Sequence, residues 1–330
     1  MASGTSDISV IIPYYNRESY MDEAVQSALM QTLKPREILI VNDASQPSSR
    51  RFLDRYTSEC TIIDLPSNVG LAGSRNAGIR AAQGRFVAFL DDDDVWLPRK
   101  LEQQRKFMEE HPECAGVHCA VWAMLPGQPS TYYRRFGTWW QPASEAAGWR
   151  APGEPQPGPL TLAQALTNDY WVIPSTMMFR TDAVRELGGF DPAFRRCEDR
   201  DFIIRFCSAG YRIEGIVEPL AKLRRQGQDS LTSRRWVLFR SDLQTCRKHR
   251  SLFLRAYGWR GIAWFILEKL QEPTFGIRYV YGGVRRLMWL VKAKCRIKSD
   301  YREPVGDQRR LPSPTQRPID NTTLIGGRSL

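Results

Sequence analysis

The segment "RFVAFLDDDDVWLP", Arg85 to Pro98, sets four carboxylates side by side, Asp91 to Asp94, directly after an apolar run. Adjacent carboxylates repel, more strongly at the rim of a low-dielectric core, so the cluster calls for a compensating cation. Mg²⁺ or Mn²⁺ takes few carboxylates and completes its shell with water and phosphate oxygens, which suits these aspartates to a metal that carries a diphosphate. Such a cation neutralises the charge that grows on a phosphate leaving group. A solvated acidic turn at the start of the next helix is the plainer alternative. A calcium loop is excluded, because the sixth position counted from Asp91 is Trp96, where a glycine is required. "DDDDV" also satisfies the phosphatase-type strand end D-x-D-x-[TV], with Asp91 as phosphoryl acceptor. Against that, several strand–helix units precede the motif and a helix follows it without room for a lid.

Two further stretches could do chemistry. "CEDRDF" supplies Glu198, Asp199 and Asp201 at the expected start of a helix. Glu198 and Asp201 are spaced to share a helix face, while Asp199 is not spaced to share one with Asp201. Carboxylates there are either dipole partners or a general base beside a bound metal and an acceptor hydroxyl, and the residues alone leave both open. "NVGLAGSRNAG", Asn68 to Gly78, is glycine-rich but matches neither the dinucleotide nor the P-loop spacing. Arg75 within it is expected to face the same crevice and to contact a nucleotide or phosphate.

The elements that must position these residues alternate. Strands are expected at "ISVIIP", "REILIV", "TIIDLP", "RFVAFL", "AGVHCAVWAM" and "VIPSTMMFR", and helices alternate with them, one of them "SYMDEAVQSALMQ" with Ser19 and Asp22 in capping-box spacing. Nearly continuous apolar strands alternating with helices indicate an α/β fold, a Rossmann-like, mostly parallel sheet flanked by helices, with ligands at the carboxyl ends of the strands. The loops "NDAS" and "DDDD" should then open onto one crevice. The organisation read from composition is a first half over 1–125, a Pro/Gly/Trp-rich loop or insertion over 126–159, and a second half of the same domain over 160–233. A basic amphipathic helical extension over 234–300 and a disordered tail over 301–330 complete it.

Charge is uneven along the chain. From Lys222 onward there are 24 basic against 8 acidic residues, and before it 23 against 28. A basic, aromatic-rich C-terminal part suits an anionic surface. No recognised nucleic-acid module accompanies the charge, so the expected partner is lipid and not nucleic acid. The plain alternative is a helical cap whose arginines face water. The seven cysteines are scattered without a C-x-x-C pair, which fits reduced thiols in the cytoplasm, and Cys114, His118 and Cys119 read as buried strand residues. The opening "MASGTSDISV" lacks a leader pattern and no segment is long and apolar enough to span a bilayer, so the expected location is cytoplasmic, peripheral on the inner face of the membrane.

Taken together, "SVIIPYYNR", "EILIVNDAS", "NVGLAGSRNAG", "FLDDDDVWLPRKLE", "GGFDPAF" and "EDRDF", in this order, resemble glycosyltransferase family 2 over about Ser9 to Ser233. The resemblance implies an inverting enzyme with the A-type nucleotide-sugar fold, its 1–125 half binding the nucleotide sugar and its 160–233 half holding the acceptor and the catalytic base, with Mn²⁺ or Mg²⁺ as cofactor. It implies a nucleoside-diphosphate sugar as donor, UDP-sugar favoured, and a glycan or lipid-linked hydroxyl as acceptor in cell-surface polysaccharide or glycolipid synthesis. It implies nucleotide contacts from Pro13, Tyr15 and Asn16, base and ribose contacts from Glu37 and Asp43, and a base contact from Arg75. The family's D-x-D-D pattern lands on Asp91, Asp93 and Asp94, with Asp93, seconded by Asp91, as metal ligand and Asp91 or Asp92 near the ribose. Asp199 falls on the catalytic base, with Glu198 as second choice, and Gly189, Phe190 and Asp191 on the acceptor side. Arg224 falls where the diphosphate is reached, in a segment "LRRQGQDS" that has Gln226 where relatives carry histidine. A phosphatase-type hydrolase and a non-catalytic sugar-nucleotide or membrane-binding module are the competing classes.

Overall fold

The computed structural model describes residues 6–124, 131–133, 135–136, 139–140, 159–167, 173–224 and 235–258. Gln226, most of the 126–159 stretch and everything after 258 lie outside the described residues.

The chain opens with β1 (Ile8–Tyr14), α1 (Glu18–Leu29), β2 (Glu37–Asn42) and α2 (Pro47–Phe52), then β3 (Thr61–Asp64), α3 (Gly70–Ala81) and β4 (Phe86–Phe89). It continues through β5 (Val95–Trp96), α4 (Lys100–Glu110), β6 (Cys114–Met124), β7 (Thr131–Tyr133), β8 (Arg135–Phe136) and β9 (Trp139–Trp140). The last described elements are α5 (Leu162–Thr167), β10 (Met178–Arg180), α6 (Thr181–Glu186), α7 (Glu198–Ser208), β11 (Arg212–Arg224) and α8 (Arg235–Lys248). The main sheet runs β3-β2-β1-β4-β10-β6-β11-β5, with β7 on β6 and a separate β8–β9 pair.

The sheet is mixed in the expected sense. The β3-β2-β1-β4 set and the long β6–β11 ladder are parallel, whereas β10, β5 and β7 pair antiparallel to their neighbours. Every residue of β1 is buried. Its side chains alternate between two cores, as the two-residue period of a strand demands. Val10 and Ile12 point to a core closed by Met21 and Val25 of α1 and Leu101 and Met108 of α4. Ile11 points to the opposite core, closed by α3, α6 and α7, where Phe89, Phe179, Phe190, Phe202 and Phe206 pack edge to face and stacked.

Three local expectations differ from the structure. α1 begins at Glu18 with Arg17 as its N-cap and no side-chain capping bond, so Ser19 and Asp22 form no capping box; Asp22 instead receives the Tyr56 hydroxyl. The stretch after 125 contains three short strands, β7 to β9, whose Tyr, Phe and Trp content favours extended backbone. β10 is shorter than "VIPSTMMFR" suggested, because Pro174–Thr176 forms a turn of 3₁₀ helix before it.

Candidate active site

The carboxyl ends of β1, β2 and β4 converge, and with them the loops that follow. After β1 the chain turns through Asn16, whose φ of 49° is left-handed, and this turn is anchored to the β2 loop: Asn16 N donates to Ser45 Oγ (3.1 Å) and Gln46 N donates to Asn16 Oδ1 (2.8 Å). Tyr15, half exposed, stands on this turn. Asp43, at the end of β2, accepts from Val69 N (2.7 Å) and Gly70 N (2.8 Å) at the start of α3, so both of its oxygens hold a helix N-terminus. Asp43 therefore lies at the crevice but serves first as a cap. Glu37 does not come to the site. It pairs with Ser9 at the beginning of the β1–β2 ladder, where it accepts from Ser9 Oγ and Gln83 N (both 2.6 Å). At about 3.3 Å per residue the strand puts it roughly 20 Å from Asp43.

All four aspartates are engaged. Asp91 accepts from Arg75 Nη2 (2.7 Å). Asp92 and Asp93 share one nitrogen of Arg17, Nη1, at 3.0 and 2.7 Å. Asp94 is buried, accepts from the Ser175 hydroxyl and receives Arg224 N (3.0 Å); Ser175 Oγ also accepts from Asp91 N (3.1 Å). Arg224 closes the loop from the far side, with Nε on Asp93 O (3.0 Å), Nη2 on Glu23 Oε2 (2.7 Å) and its guanidinium over the Tyr20 ring. The repulsion foreseen in the sequence is thus met by three arginines and a serine. Some of it remains: burial, aided by Asp93 and Asp91 and opposed by Arg17, lifts the Asp92 carboxyl to about 7, and burial with the same like charges lifts Asp94 well above its ordinary range.

Arg75 is 1% exposed. The helix α3 turns it inward and not into the crevice, so it bridges Asp91 to Glu198 Oε1 (2.6 Å) of α7, over the Phe190 ring. Although burial works against its charge, Asp91 and Glu198 hold it above its ordinary value. Cys197, in the left-handed region at φ 57°, starts α7, and Asp199 follows, half-buried, with Oδ1 on Arg200 N (2.8 Å). Burial, then the negative charge of Glu198, raise the Asp199 carboxyl to about 7 against the pull of Arg75. A carboxylate titrating near neutrality at a crevice is suited to take a proton.

Behind α7 stands α8. Arg200 reaches Asp242 and Leu166 O (2.6 Å). Asp201, wholly buried, accepts from Arg205 Nε (2.8 Å), Lys248 Nζ (2.7 Å) and His249 Nε2 (2.8 Å), so it turns away from Glu198 and the expected shared face is not used. Asn76 pairs its amide with both backbone groups of Phe190 (2.7 and 2.8 Å), and Gly189 (φ 68°) must be glycine there, since a Cβ would come within 2.3 Å of Asn76 Oδ1. Arg17, Asn76, Ser175, Asp242 and Lys248 were not singled out from sequence; "YYNR", "SRNAG" and "VIPST" contained three of them as polar residues next to strand-end motifs.

The aspartate loop fits a divalent cation in kind. Its donors are hard oxygens, and Asp91 and Asp93 are the two partly exposed members while Asp92 and Asp94 are buried. Arg17 already marks a position where positive charge bridges two carboxylates. Among the described residues, a set of ligand atoms within 4.8 Å of one another occurs elsewhere, at Glu113, Cys114 and Glu214, at the starts of β6 and β11 and the opposite end of the sheet. There burial pushes the Cys114 thiol up to about 12 and Glu214 is paired with Arg212, which disfavours a metal.

The Glycosyl transferase family 2 profile matches residues 9–188, more than half of the chain. The chain belongs to this family of transferase enzymes. The glycosyltransferase EpsE of Bacillus subtilis is 30% identical over 224 residues, 66% of this chain and 72% of EpsE. TuaG of the same organism, named for teichuronic acid biosynthesis, is 41% identical over 111 residues, 33% of this chain and 44% of TuaG. The Escherichia coli glucosyltransferase WfgD, named for UDP-Glc and a GlcNAc-diphosphoundecaprenol acceptor, is 37% identical over 102 residues, 31% of this chain and 40% of WfgD. The match thus spans less than half the length of TuaG and of WfgD. Among solved structures, Staphylococcus aureus TarS 1-349 with UDP-GlcNAc superposes with TM-score 0.52 at 17% identity, covering 87% of this chain and 88% of that one. The mannosyltransferase PcManGT of Pyrobaculum calidifontis, with GDP-Man and Mn²⁺, gives 0.53 at 16%, covering 88% and 83%. At that identity they establish the A-type glycosyltransferase fold.

Proposed function

We propose that this family 2 transferase moves a sugar with inversion from a nucleoside-diphosphate sugar, UDP-sugar favoured, to a hydroxyl of a glycan or lipid-linked acceptor in cell-surface polysaccharide synthesis. The observation that carries the reading is the chain Asp91–Arg75–Glu198, which ties the donor-side aspartate loop to the residue beside Asp199. In this mechanism Asp199 removes the acceptor proton as that oxygen forms its bond to the anomeric carbon. The bond from that carbon to the diphosphate breaks, its electron pair leaves on the diphosphate, and the single displacement inverts configuration. Glu198 is engaged by Arg75, which supports Asp199 over Glu198 as the base. Pro13, Tyr15 and Asn16 line the nucleotide side and Arg224 approaches the diphosphate. Asp93, with Asp91, would hold Mg²⁺ or Mn²⁺, and a bound cation supplies charge neutralisation on the leaving diphosphate.

The acceptor side also suits a membrane surface. The outer face of α8 and of helical residues 250–258 carries Arg240, Arg247, Arg250 and Arg255 with exposed Leu243 and Leu254, a pattern that rests on anionic lipid from the cytoplasmic side. Among the described residues no helix is long and apolar enough to cross a membrane. WfgD, a relative, is named for a lipid-linked acceptor.

The test is a thermal-shift panel of nucleoside diphosphates and sugar nucleotides with Mn²⁺, Mg²⁺ or chelator, on wild type and Asp93→Ala. Metal-dependent stabilisation by uridine nucleotides that the variant loses supports the reading. No response to any nucleotide under any metal condition overturns it.

A further inference from the structure

Two of the three arginines on the aspartate loop, Arg17 and Arg224, differ in kind. Arg224 is built in: its backbone N–H, its Nε and its Nη2 each have a partner, and Tyr20 lies beneath its guanidinium. Arg17 is held at one atom. Its Nη1 alone meets Asp92 Oδ1 (3.0 Å) and Asp93 Oδ2 (2.7 Å), and its side chain remains 32% exposed. A guanidinium is fixed in plane when two or more of its nitrogens have acceptors, as those of Arg75 and Arg224 do. One nitrogen shared by two carboxylates from consecutive residues is the geometry of a point charge. The base of this long side chain is fixed, because Asn16 beside it is pinned to Ser45 and Gln46, while the tip is free to leave along its solvent side.

We propose that Arg17 is the resident counter-cation of the aspartate loop, that it yields Asp93 to a divalent cation, and that it thereby sets how tightly the loop binds that cation. This deepens the transferase reading in its metal requirement, yet it stands on the loop alone. Without Arg17, Asp92 and Asp93 would lose the positive charge that bridges them in a half-buried loop. With it, a divalent cation entering at Asp93 must first break a partly buried ion pair. The chain therefore keeps the loop folded between turnovers and makes its metal affinity low until a second ligand, an anionic diphosphate, contributes oxygens and takes up the released guanidinium.

The experiment is Mn²⁺ titration of the full chain without nucleotide, followed by electron paramagnetic resonance of free Mn²⁺, on wild type, Arg17→Gln and Arg17→Lys. Glutamine removes the charge, and Arg17→Gln is expected to bind Mn²⁺ at least about 10-fold more tightly than wild type, the factor that corresponds to one partly buried ion pair of about 1.4 kcal/mol. Lysine keeps a point charge and is expected to stay within about 2-fold of wild type. In the Arg17→Gln, Asp93→Asn double variant the gained site disappears. Unchanged or weaker Mn²⁺ binding by Arg17→Gln overturns the proposal, as does a gain that survives Asp93→Asn. A thermal melt of each variant in chelator verifies that it is folded. If no sugar nucleotide binds the protein but Arg17→Gln gains the Asp93-dependent site, the transferase assignment of donor fails and the role of Arg17 stands.

Discussion

Glu198→Gln should move the acid limb of the transferase's pH profile downward. The base works when ionised, so activity falls as pH drops through the Asp199 pKa, which burial first and Glu198 second have raised to about 7. Glutamine removes the negative neighbour but keeps its shape and one acceptor for Arg75. Even at a separation of about 10 Å and an effective dielectric of about 20, one unit charge is worth about 1.7 kcal/mol, or about 1.2 pKa units. The positive Arg75, then neutralised by Asp91 alone, acts in the same direction. With a pKa near 7, about a tenth of the base is ionised at pH 6; near 6, about half is. The ratio of donor turnover at pH 6 to that at pH 8 should therefore rise from about 0.1 to about 0.5, whatever happens to the absolute rate. The assay is initial-rate transfer or donor hydrolysis between pH 5 and 9 with the donor found by nucleotide screening. A limb that stays in place or moves upward refutes the assignment of Asp199 as the titrating base beside Glu198.

Two predictions concern the supports. Burial alone would raise Asp201, but hydrogen bonds from His249, Lys248 and Arg205 hold it down at about 2. Its stabilisation is thus complete above the unfolded value near 4 and is lost as pH falls toward 2, so Asp201→Asn should cost about 2–3 kcal/mol in urea unfolding at pH 7 and a progressively smaller amount below pH 4. Asp43→Ala strips the carboxylate from Val69 N and Gly70 N and should cost about 2–3 kcal/mol of stability while weakening UDP stabilisation; an unchanged melting curve would show that the cap is idle.

Which parts of this site could be read in the chain depended on how local the physics is. The strand-end aspartates, Asp199 and the glycine-ended helix before Phe190 are marked by short runs whose composition already implies burial, a turn or charge. Partnerships across the sheet are not marked that way. Arg75 lies in a glycine-rich stretch that looks like a phosphate loop, yet the close packing of α3 on β1, where a Cβ on Gly78 would meet Ile11 at 2.4 Å, turns it inward to Asp91 and Glu198. Glu37 belongs to a strand whose other end reaches the crevice, and a motif read as one unit hides the length of that strand. The compensation of Asp91 to Asp94 was predictable as a need but not as a set, since Arg17, Arg75, Ser175 and Arg224 come from four separate segments. Likewise the alternating basic and aromatic residues of α8 announce an amphipathic helix, while nothing in its own composition says that Asp242 and Lys248 find partners on α7 some 40 to 50 residues earlier.

That last contact makes α8 a lever with two ends. Its inner side holds Arg200 and Asp201, the residues directly after Asp199, and its outer side presents the arginines and leucines, with a helix's width of about 10 Å between them. Whatever surface the outer side settles on is mechanically one rigid element from the Asp199 carboxylate. A chain cut at the change of composition near 233 would not shed a tail: it would strip Asp201 of two of its three hydrogen-bond partners, Lys248 and His249, and take Asp242 away from Arg200, inside the wall of the site itself.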